Sequence, residues 1–323
     1  MRSGFLRLSA AAFVLLLAGE WTALAGFPER PIKIVLGFGA GGPTDIVART
    51  LADALSRDLG QSVVVENQPG ASGNIATQSV ARADADGYTL LVGANPLAVN
   101  ESLFPDFPYK FGKDIVAAAG IGTTATVLVV PPSLNVHTLA EFTQAARNKS
   151  DGVSYAAIGI GSTSHLAGVA FDLQAGSHML AVEYHGVNEA LKDLLGAHVD
   201  AWFATIPGVL GAIKTGQLTA IATTGPERAP SLPDVPTVAE SGYPGYEIRL
   251  WVGVFARAGM PPATLSVIEQ AIGRAMRSDE TRTALQRQGI TPSTLSRDEF
   301  SAFVAQEVAR AKTIVAAFKA DQR

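Results

Sequence analysis

At 323 residues, with 47% hydrophobic and 17% charged residues, the chain is long and apolar enough to bury two cores, which excludes a disordered protein. A net charge of −4 without basic clusters argues against nucleic acid as a partner. The absence of Cys removes disulfides, thiolate metal sites and cysteine nucleophiles.

The chain opens as an export signal: Arg2 and Arg7, an apolar run over 8–18, then Ala23-Leu24-Ala25 in the small-x-small pattern of a cleavage site after Ala25. The run is shorter than the roughly 20 residues a bilayer needs, and Glu20 interrupts its far end. Nothing later resembles a membrane span, so a soluble protein outside the cytoplasm is expected, one unit more negative once Arg2, Arg7 and Glu20 are removed.

Short apolar runs then alternate with helical patterns, the mark of α/β sheets with parallel strands. A strand over 32–36 precedes a helix that starts at Pro43, carries Ile46, Val47, Leu51, Ala54 and Leu55 at helical spacing, and stops at Gly60. A strand over 62–66, a helix over 75–83 and a strand in "GYTLLVGA" complete one βαβαβ half. After "AAAGIGTTATVLVVPP" the alternation restarts, with a capping box at Thr138 and Glu141 and strands over 153–157, 180–184, 199–204 and 218–223. Pro230, Pro233, Pro236 and Pro244 predict a loop. A strand over 250–255 is followed by helices over 262–288, broken near Ser278, and 298–319. These last helices have no strands of their own and are expected on the first sheet. The chain would then form two lobes, 26–124 plus 249–323 and 125–248, with a cleft between them.

"IVLGFGAGGPTDIVART" is strand, glycine turn and helix start, and Gly37, Gly39 and Gly42 spell GxGxxG. A dinucleotide reading gains from Glu66 at the end of the next strand. It loses from the export signal and from Asp45, whose carboxylate at the helix start would repel a pyrophosphate. A purely structural turn is the second alternative. The third is a smaller anion, such as a carboxylate, held by main-chain N–H groups of Phe38, Gly39, Ala40, Gly41, Gly42, Thr44 and Asp45. "AAIGIGSTSHLAG" repeats the pattern, with Gly159, Gly161, Ser162, Thr163 and Ser164 offering donors and His165 in the first helical turn.

Tyr184 and His185 are further ligand candidates, Asn74 and Asn95 follow strands of the first lobe, and Asp200 would suit a ligand amine. Capping or surface roles are the alternatives for both histidines, and a structural hydrogen bond for Asp200. Tyr88, Trp202 and Trp251 read as packing, and His137, His178 and His198 as surface. No G-x-S-x-G or H-E-x-x-H occurs, and Ser162 and His165 at i, i+3 point first at the backbone, so no catalytic residue, metal or cofactor is expected. A secreted hydrolase and a dinucleotide-binding protein are the alternatives.

"PIKIVLGFGAGGPTDIVARTLADALSRDLGQSVVVENQPGASGNIATQSVARADADGYTLLVG", with "GIGSTSHLAG", "YHG", "DLLGAHVDAWF" and "LPDVPTVAESGYPGYE" before Trp251, resembles the Bug-type solute-binding proteins of tripartite tricarboxylate transporters. The resemblance covers essentially the whole mature chain. It implies a two-lobed α/β periplasmic binding protein of type II, with mainly parallel sheets, that captures a small organic carboxylate. It also implies delivery to two integral-membrane permease components, by a monomer. This chain departs from the family in having Gly37, Gly39 and Ala40 where prolines are usual, and Glu183 where a proline precedes Tyr184.

Overall fold

The computed structural model describes residues 26–103 and 109–321, so the leader and its cleavage point lie outside the described residues. β1 (Ile32–Leu36), α1 (Pro43–Leu59), β2 (Val63–Asn67), a 3-10 turn (Ala71–Gly73), α2 (Asn74–Arg82) and β3 (Thr89–Ala94) form a βαβαβ unit with β1 between β2 and β3, parallel to both. Pro43 opens α1, and Gly60, left-handed at φ 66°, ends it. One face of α1 (Val47, Ala48, Leu51, Leu55) buries against Ile32, Ile34 and Leu36. A short helix absent from the sequence reading, α3 (Pro96–Leu103), follows.

Near residue 124, where the chain is expected to cross between lobes, it runs on as a strand. Residues 115–130 form one strand, β4 (Ile115–Val130), with neither charge nor proline inside it and Pro131 at its end. After it come α4 (Leu139–Asn148), β5 (Val153–Ala157), α5 (Thr163–Ala175), β6 (Met179–Glu183), α6 (Val187–Leu195), β7 (Ala201–Thr205), α7 (Ile206–Lys214), β8 (Thr219–Thr223) and β9 (Arg249–Arg257). Residues 115–125 pair antiparallel with β9, and residues 126–130 with β7 and β8. β5 lies parallel to β6 and β7, and β3 antiparallel to β9. The outer strands are therefore parallel, as the alternation implies, while the centre is antiparallel because β4 and β9 carry the chain back and forth between the two lobes.

Ile121 and Val254 belong to the core of the first sheet, and Leu128 with Phe203 to that of the second. The chain closes with α8 (Pro262–Arg277), α9 (Asp279–Arg287), a two-residue strand β10 (Thr291–Pro292) and α10 (Arg297–Asp321). Ser278 breaks the helix pair by accepting from Thr281 N–H. Phe300 and Val304 of α10 pack with Trp251 and Phe255, while Ala311 and Val315 meet Val99 and Leu166. Thus α10 lies on the first sheet at its start and reaches α5 farther along.

Candidate functional site

β1, β5, β6 and β7 each run at their C-terminal ends into a helix, and the four helix starts surround one cavity of about 500 Å³. It is lined by Gly42 and Thr44 of α1, Ser162 to Ser164 of α5, Gly186 to Asn188 of α6, and Thr205, Pro207 and Gly208 of α7. Gly42 and Gly186 are N-caps with no side chain and Thr205 is one whose side chain makes no capping bond, so the first-turn N–H groups of α1, α6 and α7, which Pro43 and Pro207 do not have, lack that partner. None of the described residues on the wall is Lys, Arg, Asp or Glu. The polarity of the site comes from oriented main-chain dipoles and hydroxyls, and helix N-termini favour anions.

The first turn is held from behind. Gly41 (φ +82°) donates its N–H to Asp45 Oδ2 at 2.9 Å, while Asp45 also accepts from Arg49 Nε (3.0 Å) and from Asn67 Nδ2 (2.9 Å). Burial alone would raise the Asp45 carboxyl; the hydrogen bonds from Arg49, Gly41 and Asn67 bring it below the usual carboxylate range. Gly37, first glycine of the GxGxxG, leaves room for Gly73, whose Cα lies 2.5 Å from where a Cβ would stand.

In the second turn Gly161 (φ +77°) donates to His165 Nδ1 at 3.3 Å, and Ser162 Oγ caps His165 N–H at 3.3 Å. His165 is buried, which pushes its imidazole down to about 4 and leaves it neutral. Ser164 Oγ accepts from Ile158 N–H. Residues of the first lobe grip this turn: Ser72 Oγ donates to the Ile160 carbonyl (2.9 Å) and Thr163 Oγ1 to Asn95 Oδ1 (3.2 Å).

Of the residues singled out in the sequence, Phe38, Gly39, Ala40, Gly41, Gly42, Thr44, Ser162, Thr163, Ser164 and His185 line the cavity. Asp45 and His165 accept from the amides of the two turns, and Gly159 and Gly161 give the second turn its positive-φ backbone. Asn74 accepts from Asn100 and Tyr109, away from the cavity. Asn95 bonds the Arg249 carbonyl and Trp251 N–H, tying β3 to the start of β9. Tyr184 is buried, its hydroxyl donating to Asp193. Asp200 sits at the opposite end of β7 from the cavity, accepting from Ser154 and paired with Lys149 at 2.6 Å, which is the structural alternative raised above. Thr126, Asn188, Trp202, Thr205 and Gln288 are wall residues that the sequence reading missed. Asn188 and Thr205 carried a signal, since each opens a helix that follows a strand.

A family model described as "Tripartite tricarboxylate transporter family receptor" matches residues 47–319. Protein BugT of Bordetella pertussis is 37% identical over 286 residues, covering 88% of each chain. Among solved structures, Rpa4515 of R. palustris with adipate is 31% identical with a TM-score of 0.84, covering 90% of this chain and 98% of that one. MatC from Rhodopseudomonas palustris with bound malate is 30% identical with a TM-score of 0.80, covering 90% and 100%. The chain belongs to the receptors of the tripartite tricarboxylate transporter family, and its fold is that of their two-lobed α/β binding proteins.

Proposed function

We propose that this receptor captures a small organic carboxylate in the cavity, acting in the periplasm after cleavage behind Ala25, and delivers it as a monomer to two integral-membrane permease components. The observation that carries the reading is the convergence of four helix N-termini, three without side-chain caps, on a cavity whose described wall has no charged side chain. Such a site attracts an anion through N–H groups and needs no counter-ion. The adipate and malate held by the two relatives support the ligand class. The grouping of the apolar clusters supports lobes of 26–124 plus 249–323 and 125–248. No helix of the described residues is long and apolar enough to cross a membrane.

A thermal-shift screen of residues 26–323 tests the proposal. A carboxylate at about 100 times its Kd adds about 2.7 kcal/mol of stability. NAD raises the melting temperature instead if the GxGxxG turn serves a dinucleotide, and that result overturns the reading.

A further inference from the structure

Four consecutive residues of "QPGASGN" have positive φ: Gly70 (132°), Ala71 (47°), Ser72 (53°) and Gly73 (83°). The glycines adopt such angles freely, but Ala71 and Ser72 do not, because a Cβ crowds the backbone there. Strain of this kind persists only where its surroundings hold it, and it clusters at functional sites. Here the surroundings are both glycine turns. On one side Gly73 lies against Gly37, where a Cβ would stand 2.5 Å from Gly73 Cα. On the other side Ser72 Oγ donates to the Ile160 carbonyl at 2.9 Å, and a Cβ on Gly159 would stand 3.7 Å from that hydroxyl. Behind the turn, Asn100 Nδ2 donates to the Ser72 carbonyl (3.2 Å) and to Asn74 Oδ1 (2.5 Å), and Thr77 Oγ1 to the Gly73 carbonyl (3.0 Å). Residues 70–73 therefore rest on the glycine turn of their own lobe and reach that of the second lobe through the Ser72 side chain.

We propose that Ser72 is a positioning residue that acts without touching the ligand: its hydroxyl holds the second glycine turn in register with the first, so that both turns meet one ligand while the lobes are together. Another bond between the lobes, Thr163 Oγ1 to Asn95 Oδ1, is made where Asn95 also holds Arg249 and Trp251 of β9, one of the two crossover strands. That bond sits at a hinge. Ser72 reaches across from a turn that no crossover strand carries, so rotation of the lobes breaks its bond first. The residence time of the ligand then follows the lifetime of the joined state. The proposal goes beyond the carboxylate reading and does not depend on the chemistry of the ligand.

Ser72→Ala removes the hydroxyl and keeps the strain, whereas Ser72→Gly removes both. Unliganded Ser72→Gly should therefore melt at a higher temperature than Ser72→Ala. Release of adipate, followed by stopped-flow tryptophan fluorescence with Trp202 on the cavity wall, should nevertheless be faster than in the wild type by about threefold to tenfold in both variants. A merely structural role predicts that release follows the melting temperature, with Ser72→Gly at the wild-type rate. The second readout needs no ligand. The chain has no cysteine, so Asp53→Cys on α1 and Lys192→Cys on α6, both exposed, place one spin label on each lobe. Either Ser72 variant should shift the unliganded label-to-label distances to longer values. Distances identical to those of the wild type, or release at the wild-type rate in Ser72→Gly, overturns the positioning role. If adipate and every other small carboxylate fail to bind the wild type, the carboxylate reading falls, and the distances alone decide the role of Ser72.

Discussion

The amide of Gly41 donates to Asp45 Oδ2, four residues on, and at the same spacing the amide of Gly161 donates to His165 Nδ1. In both turns the acceptor stands at the third helical position and the donor is a glycine with positive φ. The two lobes thus fix their turns with the same device, once through an anion and once through a neutral ring. Asp45→Ala leaves the amide of Gly41, Asn67 and Arg49 without their shared acceptor, and should cost about 2–3 kcal/mol in urea unfolding. Asp45→Asn retains one acceptor and should cost about half of that. An unchanged unfolding midpoint in Asp45→Ala would show that the turn holds without the carboxylate.

His165 sets an acid limit on stability. Its folded-state value of about 4 lies below the ordinary 6.5, so between these pH values the unfolded chain binds the extra proton. Stability therefore rises with pH across that window, and is lost as pH falls from about 6.5 to about 4 by an amount on the order of 3 kcal/mol. His165→Asn removes the titrating ring, so its stability curve should be flatter than the wild type's over the same interval. Parallel curves for the two proteins would contradict the assignment.

Much of this architecture was legible because local signals agreed with it. Pro43 and Gly60 bracket α1, and Thr138 with Glu141 forms the capping box that opens α4. A boundary near residue 124 was read from the restart of the alternation, but the continuity of β4 through it was hidden, because Ala, Gly and Val runs carry no polar period and a strand buried on both faces gives no sign of where it ends. At the site, the glycine turns were legible as strand, turn and helix start. Trp202 was not, since a large apolar side chain in a strand reads as core packing whether or not it meets the cavity. Asn95 and Asp200 are polar residues beside strands whose side chains have protein partners, Arg249, Trp251 and Thr163 for the one and Ser154 and Lys149 for the other, which their positions in the sequence do not reveal.

The seat of α10 is another place where small residues admit a large one. A Cβ on Gly253 would stand 2.1 Å from Phe300 Cζ, and one on Gly120 would stand 3.0 Å from Phe300 Cδ2, so the ring lies directly on the glycine backbones of β9 and β4. Phe300→Ala should cost about 3–5 kcal/mol, the usual range for emptying such a site. Gly253→Ala alone should cost about 1–3 kcal/mol through overpacking. Combined with Phe300→Leu, the alanine has more room, and the double variant should be more stable than the sum of the single losses predicts. Strict additivity in thermal unfolding would mean that the two residues do not share this space.

The turns themselves give the final prediction, with adipate as the calorimetric probe. Ser162 presents a hydroxyl to the cavity, but that oxygen already caps His165 N–H, so Ser162→Ala should weaken binding by only about 0.5–1.5 kcal/mol. A Cβ at Gly41 meets no atom within 4 Å, so the cost of valine there begins with the strain of a β-branched residue at φ +82°, about 1–3 kcal/mol, relieved by distorting the turn. Valine at Gly161 carries the same strain and adds a Cβ 3.1 Å from Leu103 Cδ1 and 3.4 Å from Val99 Cγ1, pushing the second turn away from the first lobe. Gly161→Val should therefore bind more weakly than Gly41→Val, and both far more weakly than Ser162→Ala. Unliganded melting curves establish that each variant folds. If both valine variants fold and bind adipate as the wild type does, the amides of these turns do not hold the carboxylate.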